Sequence, residues 1–225
     1  MPLDEKTAVT LHLYERPPIN GIQYKSSLIA LLGDARGAAE RDAETGLVRP
    51  GKLSTSWLGA AGYLILLDQV GTCFKLKGPD VRGDNPISRA LLYFSQVQDD
   101  PTLDALYALR NALAHDYSLF NAYTKHSSHR HAFNFCADTV SPLVTLPAVP
   151  WSGVYDLSTL TPPDQTTMVN LRKVGDLAEE VVASLRRHHD AGQLMIGPPL
   201  TVAEFHVRYG MAWRVPNPQP IYSPK

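Results

Sequence analysis

The chain has 225 residues, 44% hydrophobic and 19% charged, which are the proportions of a folded globular protein and exclude a disordered or fibrous one. Its 21 Lys and Arg against 22 Asp and Glu leave a formal net charge of -1, so no global basic field draws it to nucleic acid or anionic lipid, and any polyanion contact has to be local. At about 150 residues per domain the length suits one large domain or two small ones, and a single domain over 1–225 is expected.

In chain order, the first 15 residues carry Asp4, Glu5 and Glu15 where a secretory signal needs a positive start and an apolar block, so a cytoplasmic location is expected. Val9, Leu11 and Leu13 alternate with Thr10 and His12, the period of a half-buried strand, which Pro17, Pro18 and Gly21 end. Residues 26–43 read as an Ala-rich helix, followed by a loop through Gly46, Pro50 and Gly51. Ser54, Thr55 and Ser56 offer caps, and Trp57, Ala61, Leu64, Ile65 and Phe74 keep helical spacing behind them until Gly78-Pro79. This central helix holds the longest apolar run, Ala60 to Leu67. The run stops at Asp68, far short of the roughly 20 residues of a membrane helix, so no membrane partner is expected. Asn85 before Pro86 opens a helix with Ile87, Leu91, Phe94 and Val97 on its apolar face, and Asp100-Pro101 opens another from about Thr102 to about Tyr123.

Beyond it, Pro142, Pro147, Pro150, Pro162 and Pro163 exclude helix, while Phe133, Phe135, Val144 and Val149 suggest short edge strands in a β/loop insertion over about 131–165. Helix returns at Thr166 or Thr167, with Leu171, Val174, Ala178, Val181 and Leu185 at heptad spacing until Gly192. Phe205, Val207, Tyr209, Met211 and Trp213 alternate with His206, Arg208 and, one step later, Arg214, a strand pattern that runs into an extended Pro-rich tail at 216–225. The fold class expected is therefore mainly α. Four or five helices, about 26–125 and 166–192, carry a small antiparallel β element made from the N-terminus, the insertion and the C-terminus. Two cysteines, Cys73 and Cys136, are too few for a disulfide framework or a four-cysteine zinc site, which suits a reducing compartment.

One segment carries a chemical signal. On a helical wheel Leu103, Leu106, Tyr107, Leu109 and Leu113 form one apolar arc, and Arg110 falls near its middle, where a buried guanidinium requires a partner for its charge. Asn111 and His115, four apart, share the adjacent face. A guanidinium grips phosphate oxygens bidentately, an imidazole exchanges protons near neutral pH, and Asn111 is placed to orient either the imidazole or a phosphate oxygen. A single histidine supplies half of an acid and base pair. Two chains meeting across this face, with the apolar arc as interface, would bring two Arg110 and two His115 into one cleft.

The stretch LYALRNALAHDYS, residues 106–118, resembles the signature of the higher eukaryotes and prokaryotes nucleotide-binding (HEPN) superfamily, an Arg followed after four to six residues by His, with a polar residue commonly after the Arg. Arg110, Asn111 and His115 match it with the four-residue gap. The resemblance covers 103–120 and extends to the helices at 54–77 and 167–190, leaving out the N-terminal strand, the Pro-rich insertion and the C-terminal strand. It implies a small helical bundle that dimerises with its motifs facing, and a metal-independent endoribonuclease of a toxin–antitoxin, phage-defence or RNA-processing system. No cofactor is implied; a cognate antitoxin is an implied partner. His115 would activate the ribose 2′-hydroxyl or protonate the leaving oxygen, and Arg110 would stabilise the phosphorane. Inactive members make a non-catalytic helical dimer that binds nucleotide, RNA or a protein partner the alternative.

Between Tyr117 and Ala137 there is no acidic residue, while Lys125, His126, His129, Arg130 and His131 all occur. This stretch suits contact with an RNA backbone, with Lys125 and Arg130 as the cations, or else a solvated loop. The spacing of His126, His129 and His131 fits no standard metal site, and no metal is expected. Arg186, Arg187, His188 and His189 suit the C-terminal end of a helix dipole, and Asp99, Asp100 and Asp104 suit an N-terminal one.

Overall fold

The computed structural model describes residues 3–18, 21–81, 83–122, 127–155 and 163–215. In chain order these form α1 (Glu5–Leu13), β1 (Ile22–Ser26), α2 (Ser27–Ala38), α3 (Trp57–Cys73), β2 (Phe74–Leu76), α4 (Pro86–Phe94), α5 (Asp100–Asn111), β3 (Phe120–Asn121), β4 (His131–Cys136), β5 (Val144–Thr145), β6 (Thr167–Asn170), α6 (Leu171–Asp190), β7 (Leu194–Ile196), α7 (Val202–Arg208) and β8 (Gly210–Arg214).

α3 is the hub. Ala60, Ala61, Tyr63, Leu64, Leu66, Leu67, Val70 and Cys73 are all buried, over most of the circumference of the helix, because α2, α4, α5 and α6 pack around it. Each fully buried Leu there contributes on the order of 2 kcal/mol from area removed from water. Gly59 admits α2, since a Cβ at that position would meet the Ala39 Cβ at 2.7 Å. α4 starts where the sequence signals it: the Asn85 side chain accepts from the Ser88 backbone N–H at 2.9 Å, with Pro86 in the first turn. α6 buries Leu171, Val174, Ala178, Val181 and Leu185 against α3, α4 and α1.

Two expected strands are helices. Residues 7–13 lie in α1, whose N-cap Asp4 accepts from the Thr7 N–H at 2.9 Å, and the buried residues Ala8, Val9, His12 and Leu13 follow a spacing of four. Val9 and Leu13 satisfy a period of two and a period near 3.6 at once, and the cap decides between them. The segment from Phe205 divides in the same way. Thr201 accepts from Glu204 N–H at 3.1 Å and starts α7, which buries Phe205 and exposes Val207, and only Gly210–Arg214 is strand. Thr201 with Glu204 three residues on is a capping-box sequence.

The β element also differs from expectation. It consists of three separate sheets: β1 with β8, antiparallel, Tyr24 opposite Ala212; β2 with β7, antiparallel; and β3-β4-β6-β5, in which β4 and β6 run parallel, Phe135 opposite Val169. The termini pair with each other, while the insertion strands β4 and β5 pair with the strands that flank the insertion, because β6 takes the four residues before α6 and offers its backbone to both β4 and β5 and β3 adds to β4. α6 consequently starts at Leu171, capped by Asn170, and not at Thr166 or Thr167. Seven α-helices among the described residues make the fold mainly helical, with three small sheets where a four- or five-helix bundle with one small antiparallel β element was expected. The tail at 216–225 lies outside the described residues. No helix among them is long and apolar enough to cross a membrane.

Candidate active site

α5 begins at Asp100, two residues before the expected Thr102, with Asp99 and not Asp100 as its cap, accepting from Thr102 N–H at 3.0 Å, and it ends at Asn111, well short of Tyr123. Leu103, Leu106, Leu109 and Leu113 are sealed in the core, each at most 3% exposed. The arc expected to be a dimer interface is therefore consumed inside one chain, packed against α3 and α4. Past Asn111 the backbone widens into a five-residue π-turn, Ala112–Asp116, which closes when Tyr117 adopts the left-handed conformation at φ 49°, ψ 44°. In an α-helix residues five apart stand about 140° apart around the axis. The i→i+5 bonding of a π-turn brings such residues towards one side, and single π-turns are frequent at functional sites.

Arg110 meets the carboxylate demanded of it. Its Nη2 lies 3.3 Å from Asp68 Oδ2 of α3, and its Nη1 donates to Asn111 Oδ1 at 3.1 Å. Both side chains of the ion pair are about one-fifth exposed, 23% and 21%. The contact is single-pointed and longer than the 2.7–2.9 Å usual for a charge-assisted bond. The Nε–H of Arg110 is buried and has no acceptor, and a buried donor left without a partner costs about 1–3 kcal/mol. The guanidinium is thus oriented from two sides, and on a side chain 23% exposed an incoming anionic oxygen has only the terminal N–H groups to meet, not the buried Nε–H. His115 stands exposed on the π-turn and makes no hydrogen bond with any described residue. The Asn111 side chain accepts from Arg110 and makes no hydrogen bond to the imidazole.

Beside this group α3 exposes Trp57, Leu58 and Ile65, and the Trp57 ring lies 6.1 Å from Tyr117 and 5.2 Å from Phe135. These apolar side chains, and not the α5 arc, form the unpartnered surface next to the motif.

The basic stretch disperses. Lys125 and His126 lie outside the described residues. His129 pairs with Asp104 at 3.0 Å and meets the Tyr107 ring edge-on. His131 is buried, its Nδ1 bonded to Thr167 Oγ1 at 2.8 Å and its Nε2 to the Ser128 carbonyl at 2.9 Å, and burial pushes its pKa down. No cluster of three or more potential metal ligands occurs among the described residues. Arg130 is exposed on the rim of a cleft of about 470 Å³ that also includes Asp100, Asp104, Leu146, Pro147 and Pro150.

Two features escaped the sequence reading. Asp68 had a visible signal, as the only charged residue in the 17-residue α3. A second, deeper charge network had none. Arg36 forms a two-pronged bridge to Glu179 at 2.8 and 2.7 Å, and Tyr63 donates to Glu179 Oε1 at 2.9 Å. Arg41, 1% exposed, donates to Asp176 and to the carbonyls of Gly46 and Arg172. These bonds fasten the loop after α2 to α6.

No protein-family model, no curated protein and no solved structure matches this chain.

Proposed function

We propose that the chain is a HEPN-like, metal-independent endoribonuclease that works as a homodimer. One observation carries this reading: a part-exposed guanidinium held in place by Asp68 and Asn111, with an exposed imidazole five residues on across a π-turn. Those two groups suffice for cleavage by internal transesterification. His115 of one subunit removes the 2′-hydroxyl proton, the 2′-oxygen bonds to phosphorus, and the bond from phosphorus to the 5′-oxygen breaks. The partner's His115 protonates that leaving oxygen, and Arg110 stabilises the charge on the pentavalent phosphorane. The products carry a 2′,3′-cyclic phosphate and a 5′-hydroxyl. The surface of Trp57, Leu58 and Ile65 is the interface that brings the two motifs together, and Arg130 contacts the RNA backbone.

The test is cleavage of single-stranded RNA by purified protein in chelator. His115→Ala abolishes cleavage and Leu58→Asp yields a monomer that no longer cuts; cleavage that survives His115→Ala, or that needs magnesium, defeats the proposal. The prior engagement of Arg110 by Asp68 favours one other reading, a non-catalytic dimer that binds RNA, nucleotide or a protein such as an antitoxin. Equal RNA binding by wild type and His115→Ala, with cleavage by neither, selects it.

A further inference from the structure

The cleft at the N-terminal end of α5 has a lining that suits one kind of ligand. Its volume of about 470 Å³ is that of a small-molecule site. Pro101, Leu146, Pro147 and Pro150 give it apolar walls against which a flat ring can lie. Among its polar side chains, Asp104 is already paired with His129, and both ring nitrogens of His131 are in hydrogen bonds. Two charged groups are left over. The Asp100 carboxylate and the Arg130 guanidinium line the same cleft and make no ion pair or side-chain hydrogen bond with any described residue. Asp100 is not needed as the helix cap, since Asp99 fills that role.

We infer that this cleft binds a guanine nucleotide, with the base edge on Asp100, the ring against the prolines and the phosphate on Arg130. The choice of base follows from donor geometry. A carboxylate offers only acceptors, and guanine alone among the four RNA bases presents two adjacent donors, N1–H and the N2 amino group, that one carboxylate can take in parallel. Adenine and cytosine place an acceptor beside their amino group, and uracil flanks its one N–H with two acceptors. A phosphate on Arg130 completes the charge balance, because the guanidinium fork matches phosphate oxygens. The helix rises about 15 Å from Asp100 to Arg110, so a strand held at Arg110 reaches this cleft within a few nucleotides. As a selector of guanine near the scissile bond the cleft rests on the endoribonuclease reading; as a nucleotide site it does not.

The experiment is calorimetric titration of the full-length protein with 5′-GMP, 5′-IMP, 5′-AMP, 5′-UMP and guanosine, beside cleavage of oligonucleotides that carry a single guanosine or inosine. 5′-GMP binds. 5′-IMP, which lacks only the N2 amino group, binds about tenfold more weakly, and guanosine, which lacks the phosphate, is insensitive to Arg130→Ala. Asp100→Asn weakens 5′-GMP at least tenfold with an unchanged melting temperature. Equal binding of all four nucleotides, or 5′-GMP affinity untouched by both Asp100→Asn and Arg130→Ala, overturns the inference. The two proposals fail separately. Guanine-selective binding without cleavage sinks the nuclease and keeps the cleft, and cleavage indifferent to inosine with no 5′-GMP binding does the reverse.

Discussion

At Arg110 the chain solves a problem of charge and leaves it half open. A single contact at 3.3 Å to Asp68 is enough to compensate the guanidinium and too little to saturate its five donors. Asp68 is therefore a positioning residue for Arg110 in the proposed reaction, and its two roles, charge and orientation, can be separated. Asp68→Asn keeps an oxygen facing Nη2 but removes the negative charge next to the incoming phosphate. RNA binding should tighten a few-fold, visible as a lower KM, with kcat nearly retained. Asp68→Ala removes the acceptor as well, frees the guanidinium, and should lower kcat towards the 10²-fold loss expected when a charge-stabilising donor is removed. Steady-state kinetics of both variants distinguish this from a purely structural role, which would lower the apparent kcat of both through the amount of folded protein and leave KM unchanged.

The π-turn sets the phase between Arg110 and His115. Deleting Ala114 should let the helix close with ordinary i→i+4 bonds and leaves the imidazole four residues after Arg110, about 40° round the axis and still on its side, whereas one alanine inserted after Ala114 turns the imidazole away by about 100°. Cleavage should survive the deletion and vanish with the insertion, while the far-ultraviolet circular dichroism of both stays that of the parent; activity retained by the insertion variant would show that the turn does not position the histidine. The sequence announces neither this turn nor the exposed side chains around it, since Ala112, Leu113 and Ala114 are ordinary helix formers. Capping chemistry is local and was readable: Asn85-Pro86 and Asp100-Pro101 mark the starts of α4 and α5 to within a residue or two. α1 and α7 were misread because seven to nine residues hold too few turns to separate a period of two from one near 3.6. The parallel pairing of β4 with β6 depends on contacts some 34 residues apart, Phe133 against Thr167, and no local pattern encodes it. Arg110 shows the boundary well. Its need for a carboxylate was legible in its position on an apolar arc, whereas the identity of Asp68, 42 residues away, follows only from how α3 and α5 pack.

Across the whole molecule the elements from the two ends of the chain meet at His12. This imidazole of α1 is 1% exposed, its Nε2 lies 2.7 Å from the hydroxyl of Tyr24 on β1, and its ring lies 4.1 Å from Phe205 and 5.9 Å from His206, both on α7. Its Nδ1 is buried without a partner. Burial, helped by His206, pushes its pKa down to about 4. The folded chain therefore holds it neutral where the unfolded chain, titrating near 6.5, would protonate it. Above pH 6.5 both states are neutral and the stability is complete. As the pH falls from 6.5 through about 4 the unfolded state binds a proton that the folded state refuses, and stability is lost. Between pH 7.5 and 4.5 this one group withdraws about 2.5 kcal/mol, and His131, His189 and His206, whose pKa values are also lowered by burial, act in the same direction. Urea denaturation should show a midpoint lower by roughly 1 M or more at pH 4.5 than at pH 7.5. His12→Gln leaves an amide facing Tyr24 and no proton to bind in this range, so its midpoint should change by less than half as much as that of the wild type over the same interval. A pH profile for His12→Gln parallel to that of the wild type would assign the acid sensitivity elsewhere and remove His12 as the point through which α1, β1 and α7 depend on one another.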